Sequence, residues 1–214
     1  MALRAVIFDV DGVLVDSHEA NDIFYERLLV AAGYPKPTRE ELHGCFHLTM
    51  RDVITKLTGA DGDEVERIWQ LGQSGELYPK EALQFPPSLL KVLRELRKHY
   101  RLAIVTGRIR TGVQIIFSRQ PIGGLFEVVV TAQDYENPKP HPEPLLLALK
   151  LLQLKPREAV YIGDSHTDIE AAREAGMPSI HLAPRKHEDA NVGITDFAQI
   201  PGAVRKVEHG LGKT

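Results

Sequence analysis

Three features of the sequence predict an α/β protein built on a doubly wound parallel sheet, with a helical domain inserted near its start. Short apolar runs rich in Val and Ile recur at residues 5–8, 102–105, 128–130, 160–162 and 179–182. They lack clean alternation between apolar and polar positions, the pattern of strands buried on both faces, and segments of helical period separate most of them. About ninety residues lie between the first run and the second, far more than one βαβ crossover needs.

Taken in order, the first strand is followed by an insertion of about residues 17–85. It holds an apolar-periodic run over 20–32, a stop at Gly33-Tyr34-Pro35, and further helical stretches at 38–45, 50–57 and 63–71. We read residues 17–85 as a small helical cap and residues 1–16 with 86–214 as the α/β core. Residues 86–99 open the return to the core as a helix, with Leu89, Leu90, Leu93 and Leu96 on one face and Lys91, Arg94, Glu95 and Lys98 mostly outside. Residues 142–152 and 167–175 read likewise, and 209–214 reads as a frayed tail. There is no internal repeat and no low-complexity segment.

With 214 residues, 43% hydrophobic content, 26% charged content and a net charge of −3, the chain has enough apolar material for a substantial core. No basic arm or stripe calls for nucleic acid or an anionic membrane, so a small diffusible substrate fits better. Cys45 stands alone and makes no internal disulfide. The opening residues MALRAVIFDV carry no signal-like segment, and no run approaches the roughly 18 apolar residues of a membrane span. A reducing cytoplasm is the expected location, with monomer or homodimer left open.

In an open α/β sheet, ligands collect beyond the carboxyl ends of the strands. The residues there form a selective set. The first strand delivers Asp9-Val10-Asp11-Gly12, the second Thr106-Gly107-Arg108, the loop after the third Lys139, and the fourth Gly163-Asp164-Ser165 with Asp168 following. So many carboxylates with one Lys repel one another unless a cation sits among them. The expected ligands are oxygens, which suits Mg²⁺ rather than Zn²⁺. A threonine hydroxyl, a lysine ammonium and backbone amides near Gly12 and Gly107 suit phosphoryl oxygens. Asp9 and Asp11 are two apart in an extended segment, so both leave the same side while Val10 turns into the core.

FDVDGVLVDS, VTGR, NPKPHPEP and IGDSHTD resemble, in order, the four motifs of the haloacid dehalogenase superfamily. The match spans the whole core and implies a Rossmann-like fold. It implies that Asp9 is the nucleophile that becomes aspartyl-phosphate, and that Asp11 is the acid/base. It implies that Thr106 and Lys139 hold the phosphoryl oxygens, with Gly12 and Gly107 beside them. It implies that Asp164 binds Mg²⁺ with the Asp9 carboxylate and the Asp11 main-chain carbonyl, while Asp168 orients metal-bound water or Lys139. The second Asp of the first motif argues against dehalogenation. The insertion resembles the first-type cap of the phosphoglycolate phosphatase, pyrophosphatase and β-phosphoglucomutase branch.

The expected function is therefore hydrolysis of a small phosphate ester, with phosphoglycolate as the leading substrate through the resemblance. One alternative is a β-phosphoglucomutase-like phosphomutase; another is a non-catalytic phospho-acceptor module like a receiver domain. The segment 47–51 lacks the Arg-Ser pattern of the sugar-phosphate mutases, which favours a hydrolase, although Gly12-Val13 also occurs among mutases. Within the insertion, Arg51 is the candidate for reading a second anionic group on the substrate, and His18, with Asn21 and Tyr25, is a candidate substrate-facing residue. An ordinary solvated helix surface is the favoured explanation of these residues. His43 and His47 at helical spacing invite a metal reading that Cys45 and the lack of a fourth ligand disfavour.

Overall fold

The computed structural model describes residues 2–46 and 48–211. Six strands, all parallel, form one sheet in the order β3-β2-β1-β4-β5-β6: β1 (Ala5–Phe8), β2 (Arg101–Val105), β3 (Val128–Val130), β4 (Ala159–Gly163), β5 (Ser179–Leu182) and β6 (Val192–Ile194). The order reverses direction between β1 and β4, which pair with Phe8 opposite Ile162. Sheets of this kind bind ligands beyond the carboxyl ends of the strands at such a reversal.

The nine helices among the described residues are α1 (His18–Ala31), α2 (Arg39–His43), α3 (Met50–Thr58), α4 (Gly62–Gln73), α5 (Leu89–Arg97), α6 (Arg110–Arg119), α7 (Glu143–Leu152), α8 (His166–Glu174) and α9 (Ile200–Leu211). None is long and apolar enough to cross a membrane. The chain divides into two compact units. One comprises Met1–Asp16, Phe85–Thr106 and Ile122–Thr214, and holds the sheet. The other comprises Ser17–Gln84 and Gly107–Pro121 and is helical, the second of these segments carrying α6.

In the α/β unit, strand alternation divides the apolar residues between two faces. On one, Ala5, Ile7, Ala103, Val105, Val130, Ala159 and Tyr161 pack with Leu145, Ala148, Leu149 and Leu152 of α7 and Ala171 and Ala172 of α8. The intervening residues Val6, Phe8, Leu102, Ile104, Val160 and Ile162 point the other way and are equally buried. There α5 packs on β2 and against α9, and the Phe8 ring meets Phe126 edge-on at 6.1 Å. Burial on both sides is why these strands read as continuous apolar runs.

The five expected strands are present. The sixth, β6, is three residues with Gly193 at its centre, too short to leave an apolar signal. In α5 the buried face is Leu89, Val92, Leu93 and Leu96, so Val92 takes the place expected of Leu90. Neither α6 nor α9 was expected. The first has Ile109 at its N-cap with no side-chain cap, and Gly112 within it. The second carries Pro201 in its first turn, which a helix tolerates because the missing N–H has no intrahelical partner there. Residues 209–211, read as frayed, form its last turn; the rest of that expected tail lies outside the described residues.

In the helical unit, α3 and α4 pack together around Met50, Val53, Ile54, Val65, Ile68 and Trp69. The entries to its helices are set by side chains: Thr38 and Glu41 form a reciprocal capping box on α2, and Thr49 accepts from the Asp52 N–H on α3.

Leu145 and its neighbour Leu146 separate the two environments of α7, one fully buried and the other 44% exposed. Leu145→Ala should cost about 2–5 kcal/mol in urea unfolding and Leu146→Ala less than about 0.5 kcal/mol. Equal losses would show that α7 does not seat on the sheet through this face.

Candidate active site

Backbone pairing sets the first part of the site. Beyond β1, the Asp9 N–H still donates to Ile162 O at 2.9 Å, so Asp9 is held at the edge of the sheet and is 7% exposed. The chain then turns back: the Val13, Leu14 and Val15 N–H groups converge on Val10 O, and the Gly12 N–H donates to Val15 O at 2.9 Å. Gly12 has φ +71, and a Cβ there would lie 1.9 Å from the Asp164 Oδ2 atom. Only glycine lets the first-strand turn lie so close to that carboxylate. A Cβ at Gly107, by contrast, would meet no described atom within 4 Å. Thr106 is fully buried at the end of β2, its N–H donating to Val130 O at 3.0 Å.

The second part comes from the start of α8. Ser165 is its N-cap, accepting from the Asp168 N–H at 3.2 Å, and Asp168 Oδ2 accepts from the Ser165 N–H at 3.1 Å and the Ser165 hydroxyl at 2.7 Å. The other carboxylate oxygen of Asp168 accepts from Lys139 Nζ at 2.5 Å and lies 3.0 Å from the Tyr161 hydroxyl. Lys139 also donates to Tyr161 at 3.0 Å. Asp168 is thus saturated, and its geometry aims Lys139. The ammonium reaches within 3.2 Å of Asp9 Oδ1, an ion-pair distance. The heavy-atom geometry does not make this contact a hydrogen bond, and Asp9 Oδ1 is buried with none.

Asp9, Asp164 and Asp168 offer carboxylate oxygens that all lie within 4.8 Å of one another. Asp11 adds no carboxylate to this trio, but its charge acts on Asp9 and Asp164. Burial, reinforced by Asp168 and Asp11 and opposed by Lys139, raises the Asp9 carboxyl from its ordinary 3.8 to about 7. Burial, with Asp168 and Asp9, raises Asp164 to about 8. Burial works against charge on Asp168 too, but the Lys139 charge and the Lys139 and Ser165 hydrogen bonds outweigh it and lower that pKa. Burial likewise disfavours the Lys139 ammonium, and Asp168 and Asp9 overcome it and hold the pKa well above its ordinary range. Three acidic groups around one cation, with an orphaned oxygen among them, fit a hard divalent cation.

The sequence reading singled out neither Tyr161 nor His181. Tyr161 sits inside an apolar strand, where a buried ring looks like packing; its hydroxyl is within 3.2 Å of Val105 O as well as on Lys139 and Asp168. His181 stands in β5 opposite Gly163, and its ring touches the Asp164 carbonyl oxygen. A polar residue near the carboxyl end of a buried strand was the available signal.

The candidates from the insertion belong to the helical unit. The Arg51 guanidinium pairs with Glu66 at 2.6 Å and lies 3.7 Å over the Trp69 ring. His18 stacks on Phe46 with ring centres 3.5 Å apart. Asn21 accepts from Tyr78 at 2.8 Å and from Arg108 at 3.0 Å, a network that gives Arg108 of the second motif a place within this unit. Cys45 is buried and donates to Glu41 O, and His43 is exposed. His47 lies outside the described residues.

The profile of the haloacid dehalogenase-like hydrolases matches residues 6–182. The chain belongs to that family. It is 32% identical over 178 residues to the pyrophosphatase PpaX of Bacillus cereus strain B4264, covering 82% of this chain and 81% of that one. A crystal structure of a haloacid dehalogenase-superfamily hydrolase of subfamily IA from Geobacter sulfurreducens matches with a TM-score of 0.70 and 29% identity, over 94% of this chain and 96% of that one. The β-phosphoglucomutase of Clostridium difficile shares the fold at a TM-score of 0.80 and 18% identity, over 98% and 99% of the two chains. This haloacid dehalogenase-like hydrolase is an enzyme of the phosphatase type.

The raised carboxyls give the hydrolase a pH signature. Asp9 and Asp164 take up protons in the folded state that the unfolded chain releases near its ordinary 3.8, so their stabilising contribution is full below about pH 4 and is lost as pH rises through 7 to 8. In chelator, the midpoint of thermal unfolding should fall by several degrees between pH 5 and pH 8, and Asp164→Asn should shrink that fall. Added Mg²⁺ should raise the midpoint at pH 8 and have little effect at pH 5. An equal rise at both pH values would rule out these two carboxyls as the competing proton sites.

Proposed function

We propose that this chain is a Mg²⁺-dependent phosphatase that hydrolyses a small phosphate ester or anhydride through an aspartyl-phosphate on Asp9. The observation that carries this reading is Asp9 Oδ1, buried without a hydrogen bond, 3.2 Å from the Lys139 ammonium and beside Asp164 and Asp168. Such an oxygen is costly to bury for structure alone.

The Asp9 and Asp164 carboxylates, with the main-chain carbonyl of Asp11, would hold Mg²⁺. Bound there, the ion supplies positive charge against the phosphoryl oxygens and favours the ionised form of Asp9. Lys139 and Thr106, with amides near Gly12 and Gly107, bind the phosphoryl oxygens and orient the group. The Asp9 carboxylate attacks phosphorus as the bond to the leaving oxygen breaks, and Asp11 gives that oxygen a proton. Asp11 then takes a proton from water as the water oxygen attacks phosphorus, releasing phosphate and restoring Asp9. Asp168 is assigned to holding Lys139, because its own oxygens are already filled.

The division into an α/β core and a helical cap of about residues 17–85 is part of this reading, as is action on a small substrate in the cytoplasm. The name of the PpaX relatives brings pyrophosphate forward as substrate, and the branch resemblance brings phosphoglycolate. The Glu66 and Trp69 contacts of Arg51 count against its reading an anionic substrate group, and the stacking of His18 counts against a direct role for that ring.

Phosphate release should be measured on pyrophosphate, phosphoglycolate and hexose phosphates, with Mg²⁺ and with chelator. Metal-dependent release concentrated on one compound is expected; a bisphosphate-primed isomerisation faster than release would make the chain a mutase. Asp9→Asn should fold normally and lose turnover by more than about a thousandfold. Wild-type rates in that variant would remove Asp9 from the chemistry.

A further inference from the structure

The Asp164 carboxylate accepts no hydrogen bond from any described residue, so its direction is set by its backbone and by its contact with the Gly12 turn. The peptide that follows it is held at both ends. Its N–H, that of Ser165, donates to Asp168 Oδ2 at 3.1 Å. Its carbonyl oxygen, that of Asp164, lies 2.9 Å from His181 Nε2. On the far side of the ring, His181 Nδ1 lies 2.9 Å from the His187 amide nitrogen. A carbonyl can only accept and an amide N–H can only donate, which fixes the tautomer: Nδ1 accepts and Nε2–H donates to Asp164 O. The imidazole is 7% exposed, on a strand paired in register with β4, His181 opposite Gly163.

We propose that His181 is a positioning residue for divalent-cation binding: it clamps the Asp164–Ser165 peptide and so aims the Asp164 carboxylate, a role that rests on the reading of Asp164 as a cation ligand. The clamp is directional. Without the Nε2 donor the Asp164 carbonyl loses its partner inside the sheet edge, and the peptide can rotate about the remaining Asp168 contact. A carboxylate with no hydrogen bond of its own to a described residue would then shift against the Gly12 turn and sample directions away from Asp9. Through the His187 amide, the same ring ties the loop between β5 and β6 to the site.

The test uses the full chain and Mg²⁺ alone, titrated calorimetrically into wild type, His181→Gln, His181→Asn and His181→Leu, with circular dichroism confirming the fold. A Gln carboxamide N–H can occupy the place of Nε2–H, whereas Asn reaches only the Nδ1 position and Leu has neither group. His181→Asn and His181→Leu should weaken Mg²⁺ about 10- to 100-fold, and His181→Gln should stay within about threefold of wild type. At saturating Mg²⁺ the kcat of His181→Asn should return close to wild type, separating cation binding from the chemical step. Mg²⁺ binding unchanged in His181→Asn, or equally weak in His181→Gln and His181→Asn, would overturn the proposal. If His181→Leu fails to fold, the Gln and Asn pair decides. No Mg²⁺ binding by wild type would overturn the reading of Asp164 and the clamp together, so the two failures are distinguishable.

Discussion

Like-charge crowding in a dry place is the constraint around which this protein is arranged. Asp9, Asp164 and Asp168 converge within 4.8 Å, and Lys139 is the ammonium in contact with two of them. Left alone, such a cluster resolves itself by taking up protons, and the raised values of Asp9 and Asp164 are that response. Asp168 escapes it because Lys139, Tyr161 and Ser165 surround its oxygens. The proposed division of labour between otherwise identical side chains follows from their partners: the saturated carboxylate is assigned to orienting Lys139, and the unsatisfied ones to a cation and to phosphorus.

The scaffold supports this at modest local cost. Gly12 admits the Asp164 carboxylate over the first-strand turn, and Gly163 does the same for α8: a Cβ there would lie 2.3 Å from the Asp168 Cβ. The N-terminal turn of α8 provides the Ser165–Asp168 capping box, so a helix start that would be needed in any case also fixes a site residue. Positioning of this kind depends on packed strands and caps more than on flexible side chains.

Most of the sheet could be read from the sequence because burial on both faces writes long apolar runs, and the site could be read because its residues follow those runs at the carboxyl edge. Asp9, Thr106, Asp164 and Asp168 announce themselves by polarity where the pattern turns. What escaped had no periodic signature. β6 was too short, α6 and α9 carry Gly or Pro where helix signals are sought, and in α5 Val92 rather than Leu90 completes the buried face at i, i+3, i+4, i+7 with Leu89, Leu93 and Leu96. Tyr161 and His181 were hidden for another reason: each is buried in a strand, and its partners include groups far along the chain, Lys139 and Val105 O for the first and Asp164 O for the second.

The central position of β1 has a consequence for how the chain is made. It precedes both of its neighbours, pairing with β2 through Ala5 and Arg101 and with β4 through Ala5 and Ala159. At a synthesis rate of about 5–20 residues per second, the first of these partners emerges roughly 5–20 s later and the second later still. During that interval an apolar strand with two bare edges waits on the ribosome, and a folding route dominated by such distant pairings is slow by its contact order. The helical insertion, Ser17–Gln84, emerges in that interval and can begin to assemble in the meantime. The nascent chain is therefore most exposed to misassociation at β1, in the same few residues that lead into Asp9.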